Sequence, residues 1–229
     1  MKIHSIFQSI SGEAGLIPQG AYCTFIRLQG CNLRCAYCDT KDTWPQGDDH
    51  GTSLSVVEVI EAIRDVRNMD RLPHALITGG EPLLQGDEVR DLTTRLLNLG
   101  YTVQIETNGT FPPFMHHPAL SWVMDYKGPS SGQVDQMPSP ETMAKWFPSL
   151  AARRTFIKFV IKNEKDANHA IQTARTMRSW AFRGWFVFSP LGGEPHRLRP
   201  LFNMVRLTAP DLAGQVIFSL QIHKIAELA

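Results

Sequence analysis

Cysteine is scarce in this chain: four residues among 229, at positions 23, 31, 35 and 38, and none beyond. A disulfide scaffold spreads its cysteines over the loops it staples, so that class is excluded. Confinement to one short segment points instead to a single local site in a reducing compartment. Excess charge of one sign is also missing. With 23 basic and 22 acidic residues the formal charge is +1, which gives no field for nonspecific nucleic-acid binding. No apolar run approaches a membrane span, and the start, Met1-Lys2-Ile3-His4-Ser5-Ile6-Phe7, lacks a signal-peptide core. The expected location is the cytoplasm, with no membrane partner. Internal repeats, long linkers and low-complexity tracts are absent as well.

What is present is enough apolar material, 43% of residues, for one well-formed core. Short segments rich in Val, Ile and Phe read as strands: Lys2–Phe7, Tyr22–Leu28, His74–Thr78, Tyr101–Glu106, Trp122–Tyr126, Thr155–Ile161, Trp185–Phe188 and Gln215–Leu220. Helical patterns lie between many of them. From Ser55 to about Arg67, Val56, Val59, Ile60, Ile63 and Val66 recur at helical spacing, and Ser55 with Glu58 has the spacing of a capping box. Asp87–Leu99 repeats the pattern, with Gly100 as its stop. Met143–Phe147, Glu164–Trp180 and Leu201–Leu207 supply further helices, the second without a clean cap. Trp146, Trp180 and Trp185 read as core or helix-packing residues.

Alternating strands and helices predict an α/β fold on a mainly parallel sheet. The units are too few for an eight-fold barrel, so a partial, shortened TIM-like barrel or open sheet is expected. Ligand chemistry then belongs at the C-terminal strand ends. Thr78-Gly79-Gly80-Glu81-Pro82, Glu106-Thr107-Asn108-Gly109-Thr110, Asp125-Tyr126-Lys127 and Ser189-Pro190 gather there.

Residues 31–38 read Cys-Asn-Leu-Arg-Cys-Ala-Tyr-Cys. Three thiolates so spaced can converge on one centre, and thiolates select zinc, copper or iron–sulfur. Structural zinc almost always takes four protein ligands, whereas this loop offers three. A cubane on three thiolates leaves one iron open to a small molecule. Cys23 is the candidate fourth ligand, although it sits inside a strand pattern where a buried cysteine is unremarkable. The histidines at 4, 50, 74, 116, 117, 169 and 196 show no metal-ligand spacing.

Cys-x-x-x-Cys-x-x-Cys resembles the hallmark of the radical S-adenosylmethionine (SAM) superfamily. That resemblance implies a 4Fe-4S cluster on Cys31, Cys35 and Cys38, with SAM chelating the fourth iron and yielding a hydrogen-abstracting adenosyl radical. Gly79-Gly80-Glu81 after a strand is a second such signal: the glycines admit a ligand to the backbone, and the Glu81 carboxylate can accept from SAM's ammonium group. Flanking blocks are more specific. Phe25–Cys31, Cys38–Trp44, Ile77–Leu83, Glu106–Gly109, Asp125–Gly132 and Leu220–Lys224 together resemble the 7-carboxy-7-deazaguanine synthase family over residues 5 to 224. The resemblance implies a single radical SAM domain over 1–229 and a homodimer. It implies a lyase that rearranges 6-carboxy-5,6,7,8-tetrahydropterin to 7-carboxy-7-deazaguanine with loss of ammonia, in queuosine and 7-deazapurine biosynthesis. Mg2+, SAM and a reductant such as flavodoxin or ferredoxin would serve that reaction.

Residue by residue, the resemblance assigns Thr40 to Mg2+. Tyr37, Asp39, Gly80, Glu81, Asp125, Lys127 and Ser130 go to SAM. Ile10, Ser11, Gly12, Glu13, Arg27, Thr78 and His223 go to the pterin. Plainer readings stand beside some of these. The Thr40 hydroxyl can cap a backbone group, Arg27 can form an ion pair at a strand end, and Lys127 can be a solvated loop lysine. One block departs from the family: Phe7-Gln8-Ser9-Ile10-Ser11-Gly12-Glu13-Ala14-Gly15 stands where Phe-x-x-x-Gln-Gly-Glu-Gly is usual. Ser11 reaches less far than glutamine, so its role is expected to pass to backbone or water, while Glu13 can still accept from pterin N–H groups. Two competitors remain, a glycyl-radical activating enzyme and a structural iron–sulfur or zinc module.

Overall fold

The computed structural model describes residues 1–45, 50–66, 73–147 and 152–228. Its strands are β1 Lys2–Ile10, β2 Tyr22–Leu28, β3 Thr52–Ser53, β4 His74–Gly79, β5 Thr102–Thr107, β6 Leu120–Asp125, β7 Thr155–Ile161, β8 Trp185–Pro190 and β9 Val216–Phe218. The helices are α1 Val56–Val66, α2 Gly86–Asn98, α3 Pro140–Lys145, α4 Glu164–Ser179, α5 Pro195–Thr208 and α6 Ile222–Ile225. Among the described residues the strands form one sheet in the order β3-β1-β2-β4-β5-β6-β7-β8-β9. β2 and β4 through β9 run parallel, while β1 and β3 add antiparallel. This is the open, partial barrel expected from the alternation of elements.

Strands β6 and β7 are buried almost end to end, as expected where helices cover one face and the barrel interior the other. The helix-side core joins Ile26, Leu28, Ile77, Ile105, Met124 and Phe159 to Val59, Ile63, Leu92 and Ala170. Toward the barrel interior, Cys23 packs with Phe25 and Leu76, and Ala14 packs on Val123, Phe156 and Val187. The α1 capping box forms in both directions: Glu58 N–H donates to Ser55 Oγ at 3.3 Å, and Ser55 N–H donates to Glu58 Oε2 at 2.7 Å. Its expected end near Arg67 lies outside the described residues. Gly100 stops α2 at φ +83°, with Gly100 N–H on the Leu97 carbonyl and Tyr101 N–H on that of Leu96.

Some expectations need correction. Helix α4 has a clean cap, because Asn163 Oδ1 accepts from Asp166 N–H at 3.1 Å. Helix α5 begins at Pro195, ahead of the expected Leu201. Pro195 occupies its first turn and Pro200 is carried inside, so prolines that read as breakers belong to the helix. The two-residue β3 was too short to show a pattern. Trp180 and Trp185 are 46% and 37% exposed, not core, and Lys145 Nζ sits 4.5 Å from the Trp180 ring centroid. Among the described residues no helix is long and apolar enough to cross a membrane.

Candidate active site

A cavity of about 380 Å³ opens at the C-terminal ends of the parallel strands. Cys31, Cys35 and Cys38 form one side, and Arg27, Thr78, Glu106, Asp125 and Lys158 stand on the strands beneath. Register sets the pairs: Arg27 lies opposite Thr78 on β2 and β4, and Asp125 lies opposite Lys158 on β6 and β7.

The cysteine loop is clamped from two strand ends. Glu81 N–H donates to the Gly30 carbonyl at 2.8 Å. A Cβ on Gly80 would stand 2.1 Å from that carbonyl oxygen, so only glycine lets the end of β4 press so close to Cys31. From the end of β5, Asn108 Nδ2 donates to Asn32 Oδ1 at 2.7 Å and lies 3.9 Å from Cys31 Sγ. Leu33 N–H approaches the same sulfur at 3.4 Å. Burial raises the Cys31 and Cys35 thiols, opposed at Cys31 by these donors and at Cys35 by Lys127. Cys23 is fully buried in the interior cluster with Phe25 and Leu76, its thiol pushed up to about 12 by burial and by Glu106. It does not line the cavity, so the fourth-ligand reading falls away.

The floor is a network of buried charges. Lys158 Nζ donates to Glu13 Oε1 at 2.7 Å and lies 3.5 Å from Asp125 Oδ1, while Lys127 Nζ donates to Asp125 Oδ2 at 2.6 Å. Burial disfavours both ammonium groups, but Asp125 overrides it and holds both lysines above the ordinary range. Burial would likewise raise Asp125, yet the two lysines hold it below the usual carboxylate range. Glu106 is different. Burial, then its neighbour Glu13, push it up to about 7 against the pull of Lys158. Gln221 Nε2 donates to Glu13 Oε1 at 3.0 Å, leaving Glu13 Oε2 buried without a partner among the described residues. Tyr37 Oη and His223 Nδ1 are similarly buried and unpartnered. Burial lowers His223 and raises Tyr37 to about 12.

Most residues expected here line the cavity: Gly12, Glu13, Arg27, Tyr37, Asp39, Thr40, Thr78, Gly80, Asp125, Lys127 and His223, with the three cysteines. Lys127 is 7% exposed, which removes its solvated-loop reading. Arg27 makes no ion pair among the described residues; its guanidinium lies 5.0 Å from the Phe7 ring centroid. Against the burial that would raise it, Lys224 pairs with Asp39 and holds that carboxylate low.

Ile10, Ser11, Glu81 and Ser130 do not line it. Glu81 is fully buried, and its two oxygens accept from Leu83 N–H, Thr107 Oγ1 and Asn108 N–H at 2.7–2.9 Å. Its carboxylate ties β4 to β5 and is spent within the protein, so the ammonium-acceptor expectation is corrected. Ser130 binds α4, accepting from Asn163 Nδ2 at 3.1 Å, while its own N–H donates to Asp166 at 2.8 Å. Fully buried Ser11 closes a backbone turn: its N–H donates to the Ala21 carbonyl and its carbonyl accepts from Gly20 N–H, both at 2.8 Å. Ile10 is the last residue of β1, paired with Tyr22.

Residues 25–117 match the Radical SAM superfamily model. The 7-carboxy-7-deazaguanine synthase of Methanospirillum hungatei is 36% identical, covering all of this chain and 86% of the relative. That of Koribacter versatilis is 37% identical over 98% of this chain and 96% of its own. The chain belongs to the 7-carboxy-7-deazaguanine synthase family. It is therefore an enzyme of radical SAM type, and membership brings a 4Fe-4S and SAM cofactor system. Crystalline QueE from Escherichia coli superposes with a TM-score of 0.67 over 96% of this chain and 93% of that one; at 23% identity this bears on the fold alone.

The residues present fit what this synthase family carries. Three cavity-lining thiols, two N–H donors aimed at one sulfur, and buried polar atoms left unpartnered are the features of a cradle for a thiolate-bound cluster and a polar ligand. Among the described residues no three His, Cys, Asp or Glu side chains meet closely enough for a single metal ion. Sequence reasoning missed Lys158 as a site residue, and it placed Glu106 at a strand end and Gln221 in a family-like block without giving either a role. Lys158 carried a usable signal, a lone cation inside the apolar strand Thr155–Ile161.

Proposed function

We propose that the chain converts 6-carboxy-5,6,7,8-tetrahydropterin to 7-carboxy-7-deazaguanine with loss of ammonia. The observation that carries this reading is the pairing, within one cysteine-lined cavity, of an Arg27 guanidinium and a buried Glu13 oxygen that have, among the described residues, no ion pair and no donor respectively. A pterin bearing a carboxylate has the complementary ends. The guanidinium fork suits the carboxylate, and the ring N–H and exocyclic amino group are donors for Glu13. The curated relatives carry the name of this activity.

Cys31, Cys35 and Cys38 would hold the cluster, and Tyr37, Asp39, Gly80, Asp125 and Lys127 would border SAM; bound there, the pair supplies a hydrogen-abstracting radical. Thr78 and His223 complete the pterin wall. Thr40 would contribute its hydroxyl to Mg2+, with oxygens of the ligand completing the shell that this ion prefers. Ammonia leaves as a neutral molecule only if its nitrogen gains a proton. Glu106, pushed up to about 7, holds one at its carboxyl near neutral pH. Residues 1–229 act as one domain in this reading. The homodimer and the flavodoxin- or ferredoxin-type reductant rest on the family resemblance.

The decisive experiment is anaerobic turnover of the carboxytetrahydropterin by cluster-loaded protein with SAM and a reductant. Product with the mass of 7-carboxy-7-deazaguanine is expected. Cleavage of SAM with the pterin left untouched overturns the proposal.

A further inference from the structure

We infer that Lys158 is a positioning residue for the ligand's donor edge: it holds the Glu13 carboxylate in place, so that Glu13, not Lys158, meets the pterin. The inference rests on the substrate reading above and deepens it.

Three observations carry it. Lys158 is buried, and its ammonium group is engaged on both sides, by Glu13 Oε1 at 2.7 Å and Asp125 Oδ1 at 3.5 Å. Glu13 is 5% exposed and arrives from a loop, not from a barrel strand, so it has no ladder to fix it. Its two oxygens are treated unequally. Oε1 takes both protein donors, Lys158 and Gln221, while Oε2 has none among the described residues. A buried carboxylate with one oxygen saturated and the other bare is oriented, and the bare oxygen is the one left for a ligand N–H. The cation also stands between Glu13 and Asp125, two carboxylates that would otherwise repel across the floor. Asp125 keeps a second cation, Lys127 at 2.6 Å, whereas Glu13 has only Lys158 as a cationic partner among the described residues. Loss of Lys158 therefore falls on the Glu13 side of the cavity.

The test is equilibrium binding to cluster-loaded protein under anaerobic conditions. Fluorescent 6-carboxypterin serves as one probe and SAM as the other. Lys158→Met should weaken 6-carboxypterin at least about tenfold and SAM less than about threefold, and Glu13→Gln should do the same. The double variant should be no more than about threefold weaker than Glu13→Gln alone, because both changes remove one interaction. Lys158→Arg, which keeps the charge, should restore most of the pterin affinity. Unchanged pterin binding in Lys158→Met overturns the inference, as does a double variant whose loss is the product of the single losses. Should Lys158→Met fail to fold, Lys158→Arg decides: equal loss of both ligands marks Lys158 as general packing and overturns the claim. Wild-type protein that binds SAM but not 6-carboxypterin is a separate result and defeats the pterin reading itself.

Discussion

Glu106 shows what burial does to a single side chain when a second carboxylate stands beside it. Pushed up to about 7, it is protonated below that pH and ionised above it. If it delivers the proton that ammonia takes away, kcat falls as pH rises through about 7. Glu106→Gln, which keeps the hydrogen-bonding shape but carries no acid, should lose roughly 10²- to 10⁴-fold in kcat and abolish that alkaline limb. A pH profile of single-turnover rates checks this, and an unaltered limb in the variant removes Glu106 from proton delivery. Glu81 was less legible in sequence. A Gly-Gly-Glu motif advertises a ligand carboxylate, yet only the three-dimensional path of β4 and β5 brings Thr107 and the Asn108 N–H onto both of its oxygens. Arg27 is a charge that interrupts the apolar strand Tyr22–Leu28. The same logic applied to Lys158 would have found the cation of the floor, but no local pattern pairs it with Glu13, 145 residues away.

Secondary-structure elements followed their local chemistry wherever periodicity was long enough to read. The parallel strands β2 and β7 have the bounds their apolar runs predicted, and the α1 capping box forms as its spacing required. The start of α5 was hidden because prolines score as breakers, and β3 because two residues carry no period. The α4 cap was missed for a different reason. Only Lys162 separates Asn163 from the end of β7, and its capping geometry exists only once that strand has ended. Asn163 also donates to Ser130, and Asp166 in the first turn of α4 accepts from Ser130 N–H and Lys162 N–H. The cap thus holds the loop after β6, which carries Lys127, against α4. Asn163→Ala should cost about 1 kcal/mol and lower the melting temperature by roughly 2–4 °C. An unshifted thermal transition would show that the cap contributes nothing.

At the scale of the whole molecule, the partial barrel has a gap between its first strands and β9, and two non-strand segments meet across it. Residues 11–20 run from β1 over the barrel interior. There Ile17 N–H donates to Gln104 Oε1 at 3.4 Å, and a Cβ on Gly15 would stand 1.9 Å from that oxygen. Residues 219–224 come from the other edge. Gln19 Nε2 binds the Gly12 carbonyl at 2.9 Å, Ser219 Oγ at 3.3 Å and the Leu220 carbonyl, and Gln221 binds Glu13. His223 packs so tightly on Gly12 that any Cβ there would overlap its ring, and Lys224 pairs with Asp39 beyond the cysteine loop. The C-terminal turn is thus the wall that joins the proposed pterin pocket to the cluster loop, while the sheet and the cysteine clamps from β4 and β5 form without it. Truncation after Leu220 should therefore leave about four irons per reconstituted chain. It should weaken 6-carboxypterin by about 10- to 100-fold, because Glu13 loses one donor and His223 is gone. SAM affinity should change far less, since among its proposed neighbours only Asp39 loses a partner. Iron analysis with the two binding titrations checks this; loss of the cluster, or equal loss of both ligands, would show that the turn holds the barrel together and does not wall the pocket.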